Sequence, residues 1–116
     1  MQTELIRQAA QDCAPAMNRF LRDLIRIPGE GQQEESAVAR IWEEMRRLGF
    51  DRVWTDRLGN ALGSVGSGDK ILAFDGHVDT VGIGDRSACS FDPYEGFEVD
   101  VWIGGRGSSD QRGGIV

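Results

Sequence analysis

The segment KILAFDGHVDTV, residues 70–81, combines a run of apolar residues with a polar cluster that follows it directly. The apolar run over residues 70–74 has the length and composition of a buried β-strand. The polar cluster over residues 75–81 follows the carboxyl end of that strand, where the sheets of α/β proteins place their ligand sites. The sequence therefore predicts a buried strand whose end carries a functional site.

Two side chains of the polar cluster, His77 and Asp79, have the chemistry of a metal site. In extended chain, residues two apart face the same side at about 6.5 Å. Histidine is a strong metal ligand, and a carboxylate behind it can accept the hydrogen bond of the other ring nitrogen. His77 is the only histidine of the chain, so a metal site here must also use carboxylates. Taken alone, the cluster is more typical of a solvated polar turn after a buried strand, and Asp75 is expected to be a hydrogen-bonded or solvated acid.

The first part of the chain is predicted to be helical. Residues 3–27 carry apolar residues at helical spacing, and Pro15 should kink this helix or open a new one. Pro28 should end it, and a polar loop over residues 29–33 should follow. A second helix is predicted over residues 34–48, with Gly49 after its last turn. The apolar stripe that this second helix should bury comprises Val38, Ile41, Trp42, Met45 and Leu48.

The later part of the chain is predicted to contain short strands. Residues 52–55 and 61–65 should pair as a hairpin around a turn at residues 56–60. Residues 97–103 alternate apolar and polar side chains, as a single half-exposed strand would. Two helices followed by a mixed sheet indicate one α/β layered domain over residues 1–116.

A glycine-rich segment, residues 104–114, contains a second candidate ligand, Asp110. Its carboxylate can bridge two cations about 3.5–4 Å apart. The alternative for this loop is an anion-binding nest. A nucleotide site is disfavoured, because the Gly-Lys-Ser/Thr ending of a P-loop and the surroundings of a Rossmann turn are both lacking. Such loops often lead into a helix, and only Ile115 and Val116 follow, so a truncated domain is expected.

Composition and charge disfavour several classes of function. The net charge is −6, and no basic stripe is present, so we expect neither a nucleic-acid partner nor an anionic membrane surface. The polar N-terminus does not resemble a secretory signal, and no apolar run reaches the roughly 18 residues of a membrane span. Cys13 and Cys89 are expected to be reduced thiols. These features together predict a cytoplasmic protein.

Taken together, the two polar segments resemble the paired metal motifs of the M20 metallopeptidases. HVDTV, residues 77–81, resembles the first motif, and GRGSSDQRGG, residues 105–114, resembles the second, roughly G-R-G-x-x-D-x-K-G-G. FDPY at residues 91–94, LGN at residues 58–60 and RIP at residues 26–28 also fit. The similarity covers nearly the whole chain and is nearest to the acetylornithine deacetylase, succinyl-diaminopimelate desuccinylase and dipeptidase branch. It implies the N-terminal part of a zinc-peptidase-like catalytic domain.

The resemblance also implies roles for individual residues. His77 would ligate one metal, Asp110 would bridge two, and Asp79 would be the catalytic-site carboxylate that orients His77. Arg112 stands where the family usually has lysine, and it is assigned no catalytic role. The implied cofactors are two divalent metals, zinc by preference, with cobalt or manganese as alternatives.

The family's general base and its remaining metal ligands follow the bridging aspartate, as does the lid domain used for dimerisation. The resemblance therefore implies a parent enzyme, a homo-oligomer, that hydrolyses amide bonds in small N-acyl amino acids or dipeptides. The 116-residue chain alone is expected to be inactive. The alternative is a non-catalytic fragment that binds metal weakly or self-associates through exposed apolar edges.

Overall fold

The computed structural model describes residues 1–30 and 34–116, so part of the predicted polar loop at residues 29–33 lies outside the described residues. Helices and two small antiparallel sheets make up the described fold, which confirms the α/β class. In chain order the elements are α1 (Gln2–Ile25), α2 (Glu35–Arg47), β1 (Arg52–Thr55), β2 (Ala61–Ser64), a 3₁₀ turn (Arg86–Ala88), β3 (Phe97–Val99), β4 (Trp102–Gly104) and α3 (Gln111–Ile115). The two sheets are separate hairpins, whereas one mixed sheet was expected.

Helix α1 buries only its C-terminal part. Phe20, Leu21, Leu24 and Ile25 are buried, while Leu5 near the start of the helix stays exposed. Pro15 lies inside α1, and the helix continues through it, so the prediction that a new helix opens there is wrong. None of the helices in the described part of the chain combines the length and the apolar composition that crossing a bilayer requires.

Helix α2 packs against α1 and ends as predicted. Ile41 joins Phe20 and Leu24 in the core. Gly49 follows the last turn with a φ of +80°, a left-handed conformation that favours glycine. Leu48 is exposed, so the predicted stripe is buried at Ile41 but not at its C-terminal end.

The core connects the helices to both polar segments of the sequence. Partly buried side chains from across the chain pack against the core: Met45, Ala61, Val78, Ile115 and Val116. Val78 lies between His77 and Asp79, and Ile115 belongs to α3, directly after the glycine-rich segment. Burial of these apolar neighbours therefore brings the two candidate motifs to the same side of the helices.

Strands β1 and β2 form the predicted hairpin. They pair antiparallel, with Arg52 opposite Ser64 and Thr55 opposite Ala61. The Asp56 carboxylate organises the turn, because it accepts hydrogen bonds from the backbone N–H groups of Leu58 and Asn60 at 2.9 and 3.0 Å. Such short-range bonding is the reason aspartate favours turns.

Three expectations about backbone structure are wrong. Residues 70–74 pair with no strand in the described chain, and Ile71, Leu72 and Phe74 are 92, 80 and 89% exposed. An apolar run becomes a buried strand only when neighbouring strands satisfy its backbone and other elements cover its faces.

Residues 97–103 fold back as the β3–β4 hairpin, because Asp100 adopts a φ of +54°, which aspartate tolerates more readily than most residues. The glycine-rich segment was expected to be a loop through residue 114 with no helix after it, but it ends in the short helix α3.

Candidate metal centre

The segment that carries His77 and Asp79 is held from both sides by its neighbours. Val78 packs against the core, and the N–H of buried Thr80 donates to the carbonyl of Gly29 at 3.1 Å. The side chains of His77 and Asp79 remain exposed. The fixed residues thus present an imidazole and a carboxylate to solvent from an irregular but anchored segment.

The structure brings the three predicted site residues together. His77 Nδ1 lies 3.0 Å from Asp79 Oδ1 and 3.3 Å from the backbone oxygen of Asp79. His77 Nε2 lies 3.5 Å from Asp110 Oδ1, although Asp110 comes from the glycine-rich segment. One ring nitrogen therefore faces the acid of its own segment, and the other faces the acid of the second segment.

This arrangement fits a shared metal ion. With bonds of about 2.1 Å, two ligands of a tetrahedral zinc ion are about 3.4 Å apart. The 3.5 Å between His77 Nε2 and Asp110 Oδ1 matches that separation. A proton on Nδ1, donated to Asp79, would leave the lone pair of Nε2 free for an ion shared with Asp110.

The described residues offer two candidate metal ligands and not a full set. Across residues 1–30 and 34–116 no group of three or more histidine, cysteine or acidic side chains is placed to hold an ion. Asp79 faces the other ring nitrogen, which leaves His77 and Asp110 as the two candidate donors. A zinc ion is usually four-coordinate, so the remaining positions would fall to water, substrate or other donors.

Asp110 is positioned by a series of tight turns. Gly107 has a φ of +82°, and its carbonyl accepts from the Asp110 N–H at 3.2 Å. A side chain at Gly107 would also collide with Thr80 Cγ2, 2.7 Å from the place a Cβ would take. Asp110 then begins α3, where its Oδ1 accepts from the Gln111 N–H at 2.8 Å. The glycines therefore allow the loop to approach the His77 segment closely.

Arg112 is a buried part of the site that the sequence analysis did not assign. Its side chain is 2% exposed and donates to three backbone carbonyls: Val78 at 3.1 Å, Ile27 at 2.7 Å, and Leu24. Burial lowers the pKa of the guanidinium, and the nearby charges of Tyr94 and Asp79 partly oppose this shift. The only sequence signal was an arginine in a glycine-rich segment at a position where lysine is usual.

A second network holds the residues that follow the site. Glu30 accepts hydrogen bonds from the Tyr94 hydroxyl at 2.6 Å and from the Ile83 N–H at 3.2 Å, and these bonds hold the pKa of Glu30 below its ordinary value. The hydrogen bond to Glu30 also raises the pKa of Tyr94. Arg106 donates to the carbonyls of Val81 and Gly82. Residues 81–83 are thus tied to the loop after α1 and to the glycine-rich segment.

Several bacterial proteins are similar to most of this chain. The Escherichia coli K12 protein named "Uncharacterized protein YgeY" is 52% identical over 113 residues, which is 97% of this chain. Succinyl-diaminopimelate desuccinylases from Rhodospirillum centenum and Cereibacter sphaeroides are 32 and 34% identical over 89 and 81% of the chain. The chain has homologues among the desuccinylases.

The chain spans only 26 to 28% of the length of these relatives. No protein-family model and no solved structure matches it. The desuccinylase name places these homologues among hydrolases. The similarity to the Escherichia coli protein covers 97% of the chain and includes His77, Asp79 and Asp110.

Proposed function

We propose that the chain belongs to the M20 metal-dependent hydrolases and supplies the first ligands of their metal site. The observation that carries this proposal is the position of His77 between two carboxylates. Asp79 lies 3.0 Å from one ring nitrogen, and Asp110 lies 3.5 Å from the other. The hydrolase name of several homologues supports the same class.

Each of the three residues has a defined task in this proposal. His77 would hold a divalent cation through Nε2, and Asp79 would keep the ring proton on Nδ1 and fix the ring plane. Asp110 would offer its carboxylate from the opposite side to the same cation and to a second one. When bound, such a metal pair lowers the pKa of a water molecule and polarises the carbonyl group of the substrate. Zinc is the expected metal, with cobalt or manganese as alternatives.

The proposed substrates are small N-acyl amino acids or dipeptides, with the amide bond as the bond that is cleaved. Two homologues are named for the removal of a succinyl group from diaminopimelate, which is a reaction of this class. The general base and the other metal ligands would come from the part of the relatives' length that this chain does not span. The activity, the cytoplasmic location and a homo-oligomeric state are therefore proposed for the whole protein.

A chimera tests this function. The aligned part of the Escherichia coli relative is replaced by this chain, and amine release is measured from N-succinyl and N-acetyl amino acids and from dipeptides. We expect zinc- or cobalt-dependent release that is lost in His77→Ala and kept in Asp69→Asn, an exposed acid outside the site. The unmodified relative serves as the control for folding and metal content. A folded, metal-loaded chimera that releases no amine would contradict the proposal.

A second candidate function, self-association, is favoured by one observation. The apolar run over residues 70–74 is exposed to solvent. At least 80% of each of three large residues is accessible: Ile71, Leu72 and Phe74. Exposed apolar patches with unpaired backbone promote association with another chain. Sedimentation velocity over a range of concentrations would show this association, and Leu72→Asp should abolish it. A monomer at all concentrations would exclude this candidate.

A further inference from the structure

The guanidinium of Arg112 lies where three segments of the chain meet. Nε donates to the carbonyl of Val78 at 3.1 Å, and Nη1 donates to the carbonyl of Ile27 at 2.7 Å and to that of Leu24. Leu24 is in the last turn of α1, where its carbonyl also accepts from the Ile27 N–H at 3.2 Å, and Ile27 lies just beyond the end of the helix. A positive charge at this end is favoured by the helix dipole, so burial of the guanidinium is partly compensated.

These bonds connect the two halves of the candidate metal site. Val78 is the residue between His77 and Asp79, and its carbonyl accepts directly from Arg112. Arg112 follows Asp110 by two residues, in the first turn of α3. One side chain therefore fixes the backbone of the histidine segment to α3, the helix that Asp110 caps.

The surroundings of Arg112 leave the guanidinium little freedom to move. It is 2% exposed, and a Cβ added at Gly29 would overlap with its Nη2 atom. Gly29 also accepts from the Thr80 N–H at 3.1 Å, so the glycine and the histidine segment are in direct contact. A planar group with several fixed donors in such a space defines the separation of its acceptors more tightly than a flexible ammonium can.

We propose that Arg112 is a positioning residue that sets the separation of His77 Nε2 and Asp110 Oδ1. This inference rests on the proposed function, because the separation matters only if the two atoms share an ion. Arg112 has no contact with the ion in this role and acts through the Val78 carbonyl and through α3. Lysine at this position can reach one or two of the carbonyls, so it should restore part of the effect.

The test is a titration of the untagged chain with Co²⁺. Binding is monitored by the visible absorption of the bound Co²⁺. We expect Arg112→Lys to weaken binding about 10-fold and Arg112→Met about 100-fold, the range found when groups that orient metal ligands are removed. Arg22→Met is the matched control, because Arg22 also donates to a backbone carbonyl, that of Gly96 at 2.6 Å, and its carboxylate partner is Glu98 rather than a residue of the site. That variant should bind Co²⁺ like the wild type.

A metal-free measurement separates this inference from the proposed function. The chain has one histidine, so ¹⁵N labelling of histidine gives the spectrum of His77 alone. At about pH 9 the metal-free wild type should show the proton on Nδ1, and Arg112→Met should show a mixture of tautomers. Circular dichroism of each variant confirms that it is folded, and Arg112→Lys remains informative if Arg112→Met does not fold.

The outcomes are distinct. If folded Arg112→Lys matches the wild type in cobalt affinity and in its histidine spectrum, Arg112 does not position the site. If the wild type and His77→Ala bind cobalt equally, the proposed function fails, and the histidine spectrum alone decides whether Arg112 orients the ring. Graded loss from wild type to lysine to methionine, with Arg22→Met unchanged, supports the inference.

Discussion

His77 Nε2 lies 3.5 Å from Asp110 Oδ1, although the two residues belong to separate segments of the sequence. The separation is that of two ligands on one tetrahedral ion. It exists because Val78, between His77 and Asp79, and Ile115, after the glycine-rich segment, pack on the same core. Because the fold sets this separation, substitutions remote from His77 and Asp110 should change it.

Asp79 should be required for the orientation of His77. Asp79→Asn should weaken metal binding about 10- to 100-fold, because the amide is a poorer acceptor for the Nδ1 proton and does not fix the tautomer. Isothermal titration with zinc measures this change. Asp75→Asn is the matched control, since Asp75 lies equally near His77 in sequence and has no assigned role. A larger loss in Asp75→Asn would show that the wrong acid has been paired with the histidine.

Gly29 should be intolerant of any side chain. Gly29→Ala should destabilise the chain by about 1–3 kcal/mol, because its Cβ overlaps with the Arg112 guanidinium and approaches Thr80 Oγ1 to 3.1 Å. Urea unfolding followed by circular dichroism measures the free energy. Gly68→Ala is the control, since a Cβ at Gly68 meets open space, and a change of no more than about 0.5 kcal/mol is expected there. Equal stability of the two variants would mean that Arg112 is not packed against Gly29.

Glu44 should make the free energy of unfolding depend on pH in the acidic range. It is buried on α2 and accepts from Arg47, and from Arg40 at 2.8 Å. The hydrogen bonds from Arg47 and Arg40 hold its pKa below the ordinary value. A lowered pKa in the folded chain means that stabilisation is complete above about pH 4.5 and is lost as the pH falls through the lowered value.

The substitution Glu44→Gln tests this dependence. It should destabilise the chain by about 1–3 kcal/mol at pH 7, because the charged acceptor of two arginines is removed. The variant should also lose less stability than the wild type between pH 7 and pH 3 in urea unfolding. Glu43→Gln, on the exposed face of the same helix, is the control and should follow the wild type. Parallel pH curves for wild type and Glu44→Gln would contradict the assignment.

The sequence predicts those parts of the fold that depend on neighbours along the chain. Both long helices, Gly49 after α2 and the β1–β2 hairpin follow from spacing and turn residues, and the structure confirms them. The turn at Asp100 was missed, because alternation alone does not distinguish one strand from two when the turn residue is an aspartate.

Features that depend on distant contacts could not be predicted. The run over residues 70–74 has the composition of a strand, but strand pairing needs a partner, and no described segment provides one. His77, Asp79 and Asp110 were identified from their residue types and from a family resemblance, yet their separations required the fold. Arg112 was overlooked because its acceptors, among them Leu24 and Val78, are backbone carbonyls, which leave no pattern in the sequence.

The central claim is that His77 and Asp110 bind the same ion. The most direct measurement is the zinc content of the untagged chain after dialysis against buffered free zinc, beside His77→Ala and Asp110→Ala. Cys13→Ser/Cys89→Ser is included, because both thiols are free and could bind zinc elsewhere. The account predicts near-stoichiometric zinc in the wild type and in the cysteine variant, with loss in both site variants. Equal zinc in wild type and His77→Ala, or no zinc in any of them, would contradict it.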